Sequence, residues 1–271
     1  MQYSYITSRD NPKIKAACGL KSKGCRQEAR LALIEGENII SQIAPQRVRQ
    51  IFVAESKLAR FEGFLSGFKD AKIYVVDGKA QSLLSDTKTP QGIFAVIQTG
   101  VPNAGNGSPQ SNLSALLDGI SDPGNLGTII RTCAAFNISK VYLRNCCDPY
   151  NGKAVRASLG GIFAVDLIDG EPAAANTATH SNTTLPSPNC EIWALDAGGQ
   201  PVDGIPPHEV KNPVCLAVGS EAHGLSAEIK RLAKRVISIP MPGNMESLNA
   251  AVAFGIAAYE TGKYLKSIPP A

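Results

Sequence analysis

The sequence predicts a two-domain α/β protein in which a smaller N-terminal α/β domain precedes a larger domain built on a mostly parallel sheet. Short apolar runs typical of β-strands alternate with helix-compatible stretches along most of the chain. Residues 98–112, rich in Gly, Pro, Asn and Ser, interrupt this alternation and are typical of an interdomain linker. The 271 residues, 44% of them apolar, are enough for two hydrophobic cores.

Residues 1–97 are predicted to form the first domain. β-rich runs alternate here with helical stretches, which indicates a small α/β unit. The predicted strands are Leu31 to Ile34, Gln50 to Ala54, Ile73 to Val76 and Gly92 to Ile97.

Residues 113–271 are predicted to form the second domain. Its strand-like runs are nearly continuous in apolar residues, which is typical of parallel strands covered on both faces. The predicted strands are Leu113 to Leu117, Val141 to Leu143, Phe163 to Val165, Glu191 to Leu195, Val214 to Val218 and Val236 to Ile239. Residues 171–188 lack a clear period and suggest a loop or short helix, whereas residues 249–266 indicate a C-terminal helix.

The composition excludes several classes of protein. No apolar run approaches the roughly 20 residues of a membrane-spanning helix, and the N-terminus does not begin a signal peptide, so we expect a cytoplasmic protein. The seven cysteines are scattered without a C-x-x-C pair, and we expect buried reduced thiols rather than a metal site.

Positive charge is concentrated in the first domain. Residues 1–97 have a balance of +6, whereas residues 98–271 have a balance of −2. Taken alone, such a run favours a solvated helix face, and the alternative is a surface that contacts phosphates. The early cluster comprises Arg9, Lys13, Lys15, Lys21, Lys23, Arg26 and Arg30.

The segment Asp122-Pro123-Gly124-Asn125-Leu126-Gly127 follows the first strand of the second domain, at the carboxyl end where open α/β sheets place their sites. Its glycines allow close approach of backbone to a ligand, and the following helix begins with free N–H groups. The glycine patterns of dinucleotide-binding and P-loop proteins are absent from the sequence. Arg131 follows on the same helix, where an arginine is ordinarily a solvated charge.

A second segment, Gly219-Ser220-Glu221-Ala222-His223-Gly224, follows the buried strand Val214 to Val218. Glu221 is most simply a cap or dipole partner for a helix at residues 225–232. We assign His223 no role.

A third segment, Ile239-Pro240-Met241-Pro242, leads into Ser247-Leu248-Asn249. The prolines prevent regular ladder hydrogen bonds and indicate a rigid loop. Ser247 is a natural N-cap for the last helix.

In order and spacing, these three segments resemble the motifs of the SpoU (TrmH-type) branch of the SPOUT RNA methyltransferases. The opening residues 6–15 and 34–37 are similar to the substrate-binding domain that precedes many SpoU domains, a fold akin to certain ribosomal proteins. General topology rules favour an unknotted sheet. The resemblance instead implies a C-terminal trefoil knot, with S-adenosylmethionine bound in the knotted crevice and a ribose 2′-hydroxyl of RNA as methyl acceptor.

The resemblance also implies residue roles. The expected catalytic set is Asn125, Arg131, Glu221, Ser247 and Asn249. The expected cofactor contacts, mainly through backbone, are Ala217, Val218, Gly219, Ile239, Met241 and Leu248. Residues 153–161 resemble the family's helix near the active site, the alternative being an ordinary helix with a Gly160-Gly161 C-cap. Arg156 on this helix is a candidate phosphate contact, together with the early basic cluster.

The family is usually described with an arginine as general base. A guanidinium pKa above 12 makes a poor proton acceptor, so we prefer Arg131 as an electrostatic stabiliser of the developing alkoxide, oriented by the other four residues. No metal is needed.

The resemblance further implies a homodimer joined through the catalytic domains. The basic first domain favours ribosomal over transfer RNA. The alternatives are a transfer RNA methyltransferase and an inactive RNA-binding or ribosome-assembly protein. The target nucleotide, and a role in housekeeping or antibiotic resistance, stay open.

Overall fold

The computed structural model describes residues 3–101, 111–169, 185–210 and 213–265. Most of the predicted linker, and residues 171–184 of the segment without a period, lie outside the described residues. Within the described ranges, no helix combines the length and apolar character needed to cross a membrane.

The first domain is a five-stranded sheet with helices on both faces. The strands run in the order β1-β4-β3-β5-β2, with β1, β4 and β3 parallel and β5 antiparallel to its neighbours β3 and β2. Its elements are β1 (Tyr3–Ile6), α1 (Pro12–Gly19), α2 (Lys23–Ala29), β2 (Leu31–Glu35), α3 (Glu37–Ile40), β3 (Val48–Ala54), α4 (Leu58–Leu65), β4 (Lys72–Val76), α5 (Gly78–Leu84) and β5 (Ile93–Gln98).

The alternation of side chains along the strands gives this sheet two apolar faces. Phe52 on β3 packs with α1 and α5, whereas its neighbours Ile51 and Val53 face the opposite side with Phe61 of α4. The predicted small α/β unit is confirmed.

The second domain contains a six-stranded sheet in which every described pairing is parallel, in the order β11-β9-β10-β6-β7-β8. Its elements are β6 (Leu113–Asp118), α6 (Pro123–Ala135), β7 (Lys140–Arg144), α7 (Gly152–Ser158), β8 (Asp166–Asp169), β9 (Glu191–Pro201), β10 (Val214–Gly219), α8 (Ala227–Leu232), β11 (Arg235–Ser238) and α9 (Ala250–Leu265).

Both faces of this sheet are buried by helices. On one face Leu117 of β6 shares a core with Ile129 of α6 and Phe254 of α9. On the other face Leu116 packs with Ile229 of α8. The prediction of a mostly parallel sheet covered on both sides is confirmed.

The predicted strand Phe163 to Val165 is wrong. Residues Gly161–Phe163 form a 3₁₀ turn, and the strand at this point is β8 instead. Ile162 and Val165 are each 1% exposed, so this apolar segment is buried as a turn rather than as a strand. Strand β1 was not predicted, because its exposed Ser4 and Tyr5 break the apolar pattern.

The seven cysteines are all free. Cys133 and Cys215 are buried, as expected, and burial raises the pKa of both thiols. Cys25 on α2 is exposed, contrary to the prediction of burial, and the other four are only partly buried: Cys18, Cys146, Cys147 and Cys190.

The two domains contact one another through buried polar groups. The Arg26 guanidinium donates through Nε to Asp148 Oδ2 at 2.7 Å, and its Nη1 donates to the carbonyls of Leu20 and Lys21. Both charged side chains are nearly excluded from solvent, at 7% and 11% exposure. The Arg26–Asp148 pair holds α2 of the first domain against the loop between β7 and α7.

Candidate active site

The three motifs meet at one edge of the second sheet. Asp118 at the end of β6 is in register with Gly219 at the end of β10, so the loops after these strands leave the sheet side by side. β11 runs parallel to its neighbour and also ends at this edge. This is the carboxyl edge, where open α/β sheets bind ligands.

The first turn of α6 is fixed by Asp122. Its Oδ1 accepts a hydrogen bond from the Asn125 backbone N–H at 2.9 Å, and Pro123 occupies the first turn. Lys153 on α7 donates to Asp122 Oδ2 at 2.7 Å. Hydrogen bonding to Lys153, and then to the Asn125 backbone, lowers the pKa of Asp122. The cap therefore stays ionised and places Asn125 at the sheet edge.

Three side chains, one from each motif, form a hydrogen-bonded network. Asn125 Nδ2 donates to Glu221 Oε1. Asn249 Nδ2 donates to Asn125 Oδ1 at 3.0 Å. An ionised carboxylate can only accept, so Glu221 fixes the orientation of the Asn125 amide and leaves its oxygen for Asn249. We call Asn249, Asn125 and Glu221 the motif network.

Asn249 is also the N-cap of α9. Its Oδ1 accepts from the backbone N–H groups of Ala251 and Val252, at 2.9 and 3.3 Å. The prediction that Ser247 caps this helix is wrong, since the helix begins at Ala250 and Ser247 lies in the preceding loop. The side-chain amide of Asn249 therefore caps α9 through its oxygen and joins the motif network through its nitrogen.

Glu221 does not cap α8, contrary to the simplest sequence interpretation. Ser226 is the cap, and its backbone N–H donates to the buried carboxylate of Asp118 at 2.8 Å. The loop between is tightly folded, because a Cβ at Gly219 would lie 2.0 Å from the Gly224 carbonyl carbon. This leaves the Glu221 side chain free to join Asn125.

A cavity of about 230 Å³ lies beside the motif network. Five of the six predicted cofactor residues line it, together with Glu221 and Ser247 of the predicted catalytic set: Val218, Gly219, Ile239, Met241 and Leu248. Ala217 does not, because its side chain is fully buried in the core beneath β10.

The chemistry of this cavity fits a nucleoside-containing ligand with a cationic portion. Leu195, Ile239 and Leu248 supply apolar surface, whereas Ser220 and Glu246 supply polar groups. A larger cavity of about 400 Å³ lies between β8 and α2. None of its lining residues belongs to the three motifs, so the smaller cavity is the better candidate for the cofactor site.

Arg131 and Ser247 are exposed and stand outside the motif network. Within the described part of the chain, neither forms a side-chain hydrogen bond or ion pair. The Arg131 backbone packs against Gly161, where an added Cβ would lie 3.1 Å from the Arg131 Cα. Orientation of Arg131 by the other four residues stays a prediction.

Helix α7 packs closely on the motif-bearing helix α6. A Cβ at Gly127 would lie 2.3 Å from the Ala154 carbonyl oxygen. Arg156 is exposed on α7. The helix ends with left-handed Leu159, followed by Gly160, one residue earlier than the predicted Gly160-Gly161 cap.

The predicted RNA-binding cluster is largely exposed, with one exception. Lys15 pairs with Asp10 at 3.0 Å and Lys21 with Asp86 at 2.8 Å. Arg26 is buried against Asp148, so its guanidinium is unavailable to phosphate and its assignment to the cluster is wrong. The exposed members are Arg9, Lys13, Lys15, Lys21, Lys23 and Arg30.

Sequence reasoning gave no role to three residues that shape the site. Asp122 and Lys153 fix the start of α6, and buried Asp118 holds the loop that carries Glu221. An Asp directly before Pro-Gly at a helix start is a recognisable cap signal.

Among the described residues, no group of three or more His, Cys, Asp or Glu is placed to hold a metal ion.

Comparison with known proteins gives two family matches. Residues 112–259 match the model of the SpoU rRNA Methylase family. Residues 11–95 match the MRM3-like substrate binding domain.

Individual relatives match along most of their length. The chain is 30% identical to the 23S rRNA (guanosine(2553)-2′-O)-methyltransferase RlmP of Bacillus subtilis, over 94% of this chain and 97% of that protein. It is 27% identical to the 23S rRNA (guanosine-2′-O-)-methyltransferase RlmB of Haemophilus influenzae, over 84% and 94%.

A solved structure matches both domains together. The AdoMet-bound rRNA methyltransferase from Sinorhizobium meliloti superposes with a TM-score of 0.78 at 25% identity, covering 98% of this chain and 99% of that one. The match to the family model covers more than half of the chain and contains all three motifs. The chain belongs to the SpoU rRNA methylase family.

Proposed function

We propose that this protein transfers a methyl group from S-adenosylmethionine to a ribose 2′-hydroxyl of ribosomal RNA. The observation that carries the proposal is the motif network, which joins one side chain from each family motif at the rim of the 230 Å³ cavity. The enzymatic activity of relatives matched along most of their length supports the same reaction.

S-adenosylmethionine supplies an electrophilic methyl carbon. Val218, Gly219 and Leu248 line the cavity, and their backbone would hold this cofactor there. Glu221 uses Oε1 for Asn125, which leaves Oε2 to accept a hydrogen bond from a ribose hydroxyl and align it.

Arg131 supports the developing alkoxide electrostatically. Its permanently charged guanidinium is suited to stabilising negative charge and poorly suited to removing a proton. Its exposure leaves the guanidinium free to meet the substrate.

Ribosomal RNA is the proposed substrate in preference to transfer RNA, and the cytoplasm is the proposed compartment. RlmP and RlmB are both 23S rRNA methyltransferases, and the family match extends through the N-terminal domain as well as the catalytic one.

The test is transfer of labelled methyl from S-adenosylmethionine to ribosomal or transfer RNA isolated from cells that lack the gene, with the 2′-O-methyl position then mapped. We expect label in ribosomal RNA alone. Label in transfer RNA would support the alternative of a transfer RNA methyltransferase. RNA binding without methyl transfer to either RNA would support the alternative of an inactive RNA-binding or ribosome-assembly protein.

A homodimer formed through the catalytic domains is part of the proposal. Val252, Ile256 and Tyr259 form an exposed apolar stripe along α9, and Phe136 at the end of α6 extends it, with its ring 6.2 Å from that of Tyr259. Such a stripe is suited to burial against a second copy. Light scattering should show a dimer that Ile256→Asp converts to monomer, and a monomeric wild-type protein with full activity would contradict it.

A further inference from the structure

The cavity beside the motif network has an uneven distribution of charge. Three carboxylates are among its lining residues, Asp196, Glu221 and Glu246. None of the lining residues in the described part of the chain is Lys, Arg or His. Glu221 and Glu246 are exposed, but a ligand bound in the cavity would lie within a Debye length of both, so salt would screen their attraction only in part.

Within the described ranges, only one of these carboxylates has a cationic partner. Asp196 pairs with Lys230 of α8 at 2.7 Å. Glu221 accepts from the neutral amide of Asn125. Glu246 is exposed, and among the described residues it forms no ion pair. The cavity therefore presents negative charge that the residues around it leave uncompensated.

We propose that this charge makes the cavity select ligands by their own charge, with Glu246 as the residue that favours the cationic methyl donor over its neutral-sulfur product. This inference depends on the proposed function. During transfer the carbon–sulfur bond breaks and its electron pair stays on sulfur, while a carbon–oxygen bond forms to the ribose and the hydroxyl proton is released to solvent. The sulfonium thereby becomes an uncharged thioether.

Charge selection has a consequence for turnover. The donor is attracted by the uncompensated carboxylates before the reaction, and the product loses that attraction because its sulfur is neutral. The adenosine moiety is common to both ligands and so does not distinguish them. The charge thus assists exchange of product for fresh donor, and a neutral cavity would bind the two more equally.

Calorimetry on the full-length protein can test this with S-adenosylmethionine and S-adenosylhomocysteine. Glu246→Gln should weaken binding of the donor about 3–10-fold and change binding of the product less than about twofold, the scale of one charge at several ångströms in a partly screened site. A matched control is Glu62→Gln, which removes an exposed carboxylate of α4 in the other domain and should change neither ligand.

A second variant should shift selectivity in the opposite direction. Lys230→Gln leaves Asp196 without its partner and so adds uncompensated negative charge at the cavity. We expect donor affinity to rise about 2–5-fold relative to product affinity. Raised salt should reduce this difference in both the wild type and the variant.

The outcomes separate the two proposals. If Glu246→Gln changes donor and product equally, or changes neither, charge selection is wrong although the cofactor site stands. If the folded wild-type protein binds neither ligand, the proposed function itself fails.

Discussion

The side-chain amide of Asn249 bonds in two directions, its oxygen to the first turn of α9 and its nitrogen to Asn125. Two substitutions separate these interactions. Asn249→Asp keeps an N-cap acceptor and adds a charge favourable at a helix N-terminus, but removes the donor to Asn125. Asn249→Ala removes both.

We therefore expect Asn249→Asp to lose methyl transfer while unfolding near the wild-type temperature. Asn249→Ala should lose activity and also about 1 kcal/mol of stability. Thermal unfolding and a methylation assay measure the two effects. Full activity in Asn249→Asp would show that the motif network is unnecessary for the reaction.

Arg131 provides the second prediction at this scale. Arg131→Ala should lower methyl transfer by at least about 100-fold, the effect typical of removing one group that stabilises a developing oxyanion. Arg131→Lys should also fail, because an ammonium does not reproduce the planar guanidinium. Cofactor affinity should be unchanged in both, since Arg131 does not line the cavity. Near-normal turnover by Arg131→Ala would make it an ordinary surface charge.

At the scale of elements, the crossing of α6 and α7 depends on Gly127. A Cβ there meets backbone of α7, which cannot move aside as a flexible side chain could. Gly127→Ala should destabilise the protein by about 1–3 kcal/mol, as overpacking does. It should also reduce activity, because α6 carries Asn125 and Arg131.

Gly262 on α9 is the matched control, since a Cβ there would meet nothing within 4 Å. Gly262→Ala should stabilise the protein by roughly 0.5–1 kcal/mol through helix propensity. Chemical denaturation of both variants gives the comparison. Equal effects from the two substitutions would contradict the steric argument.

The strands at the centre of the second sheet were predictable from the sequence because both of their faces are buried. For β6 and β10 the predicted ends differ from the observed ones by one residue. Apolar composition alone could not distinguish the buried turn Gly161–Phe163 from a strand, because both remove the same side chains from water.

The site was predictable where local chemistry determines it and unpredictable where distant contacts do. Ser247 and Asn249 are both good N-caps, so propensity could not choose between them. The structure selects Asn249, which also reaches Asn125 on α6. The partner of Arg26 is 122 positions away in the sequence, and nothing near Arg26 indicates it. The trefoil knot implied by the resemblance stays a prediction.

For the molecule as a whole, the pair Arg26–Asp148 connects the two domains. Arg26→Ala leaves Asp148 buried without its partner, which typically costs about 3–5 kcal/mol. Lys23→Ala on the same helix removes an exposed charge and should cost little. Chemical denaturation should show this contrast. A small effect for Arg26→Ala would mean that the domain contact has little influence on stability.

The exposed part of the early basic cluster is predicted to provide much of the RNA affinity. Replacement of Lys13, Lys15, Lys21 and Lys23 by Ala should weaken RNA binding, because each lysine bound to a phosphate releases counterions. The slope of log affinity against log salt should flatten by about 0.7–0.9 for each lysine–phosphate interaction that the substitutions remove. Cofactor affinity should be unchanged, since these residues lie outside the 230 Å³ cavity.

A charge-matched control separates the cluster from net charge. Ala substitution of the exposed Lys57, Lys69, Lys72 and Lys79 removes the same charge from other parts of the first domain. If the cluster binds phosphates, its quadruple variant should lose far more affinity and salt dependence than this control, because only interactions made in the complex release counterions. Equal decreases in the two variants would reduce the effect to long-range attraction, and the RNA surface would then lie elsewhere.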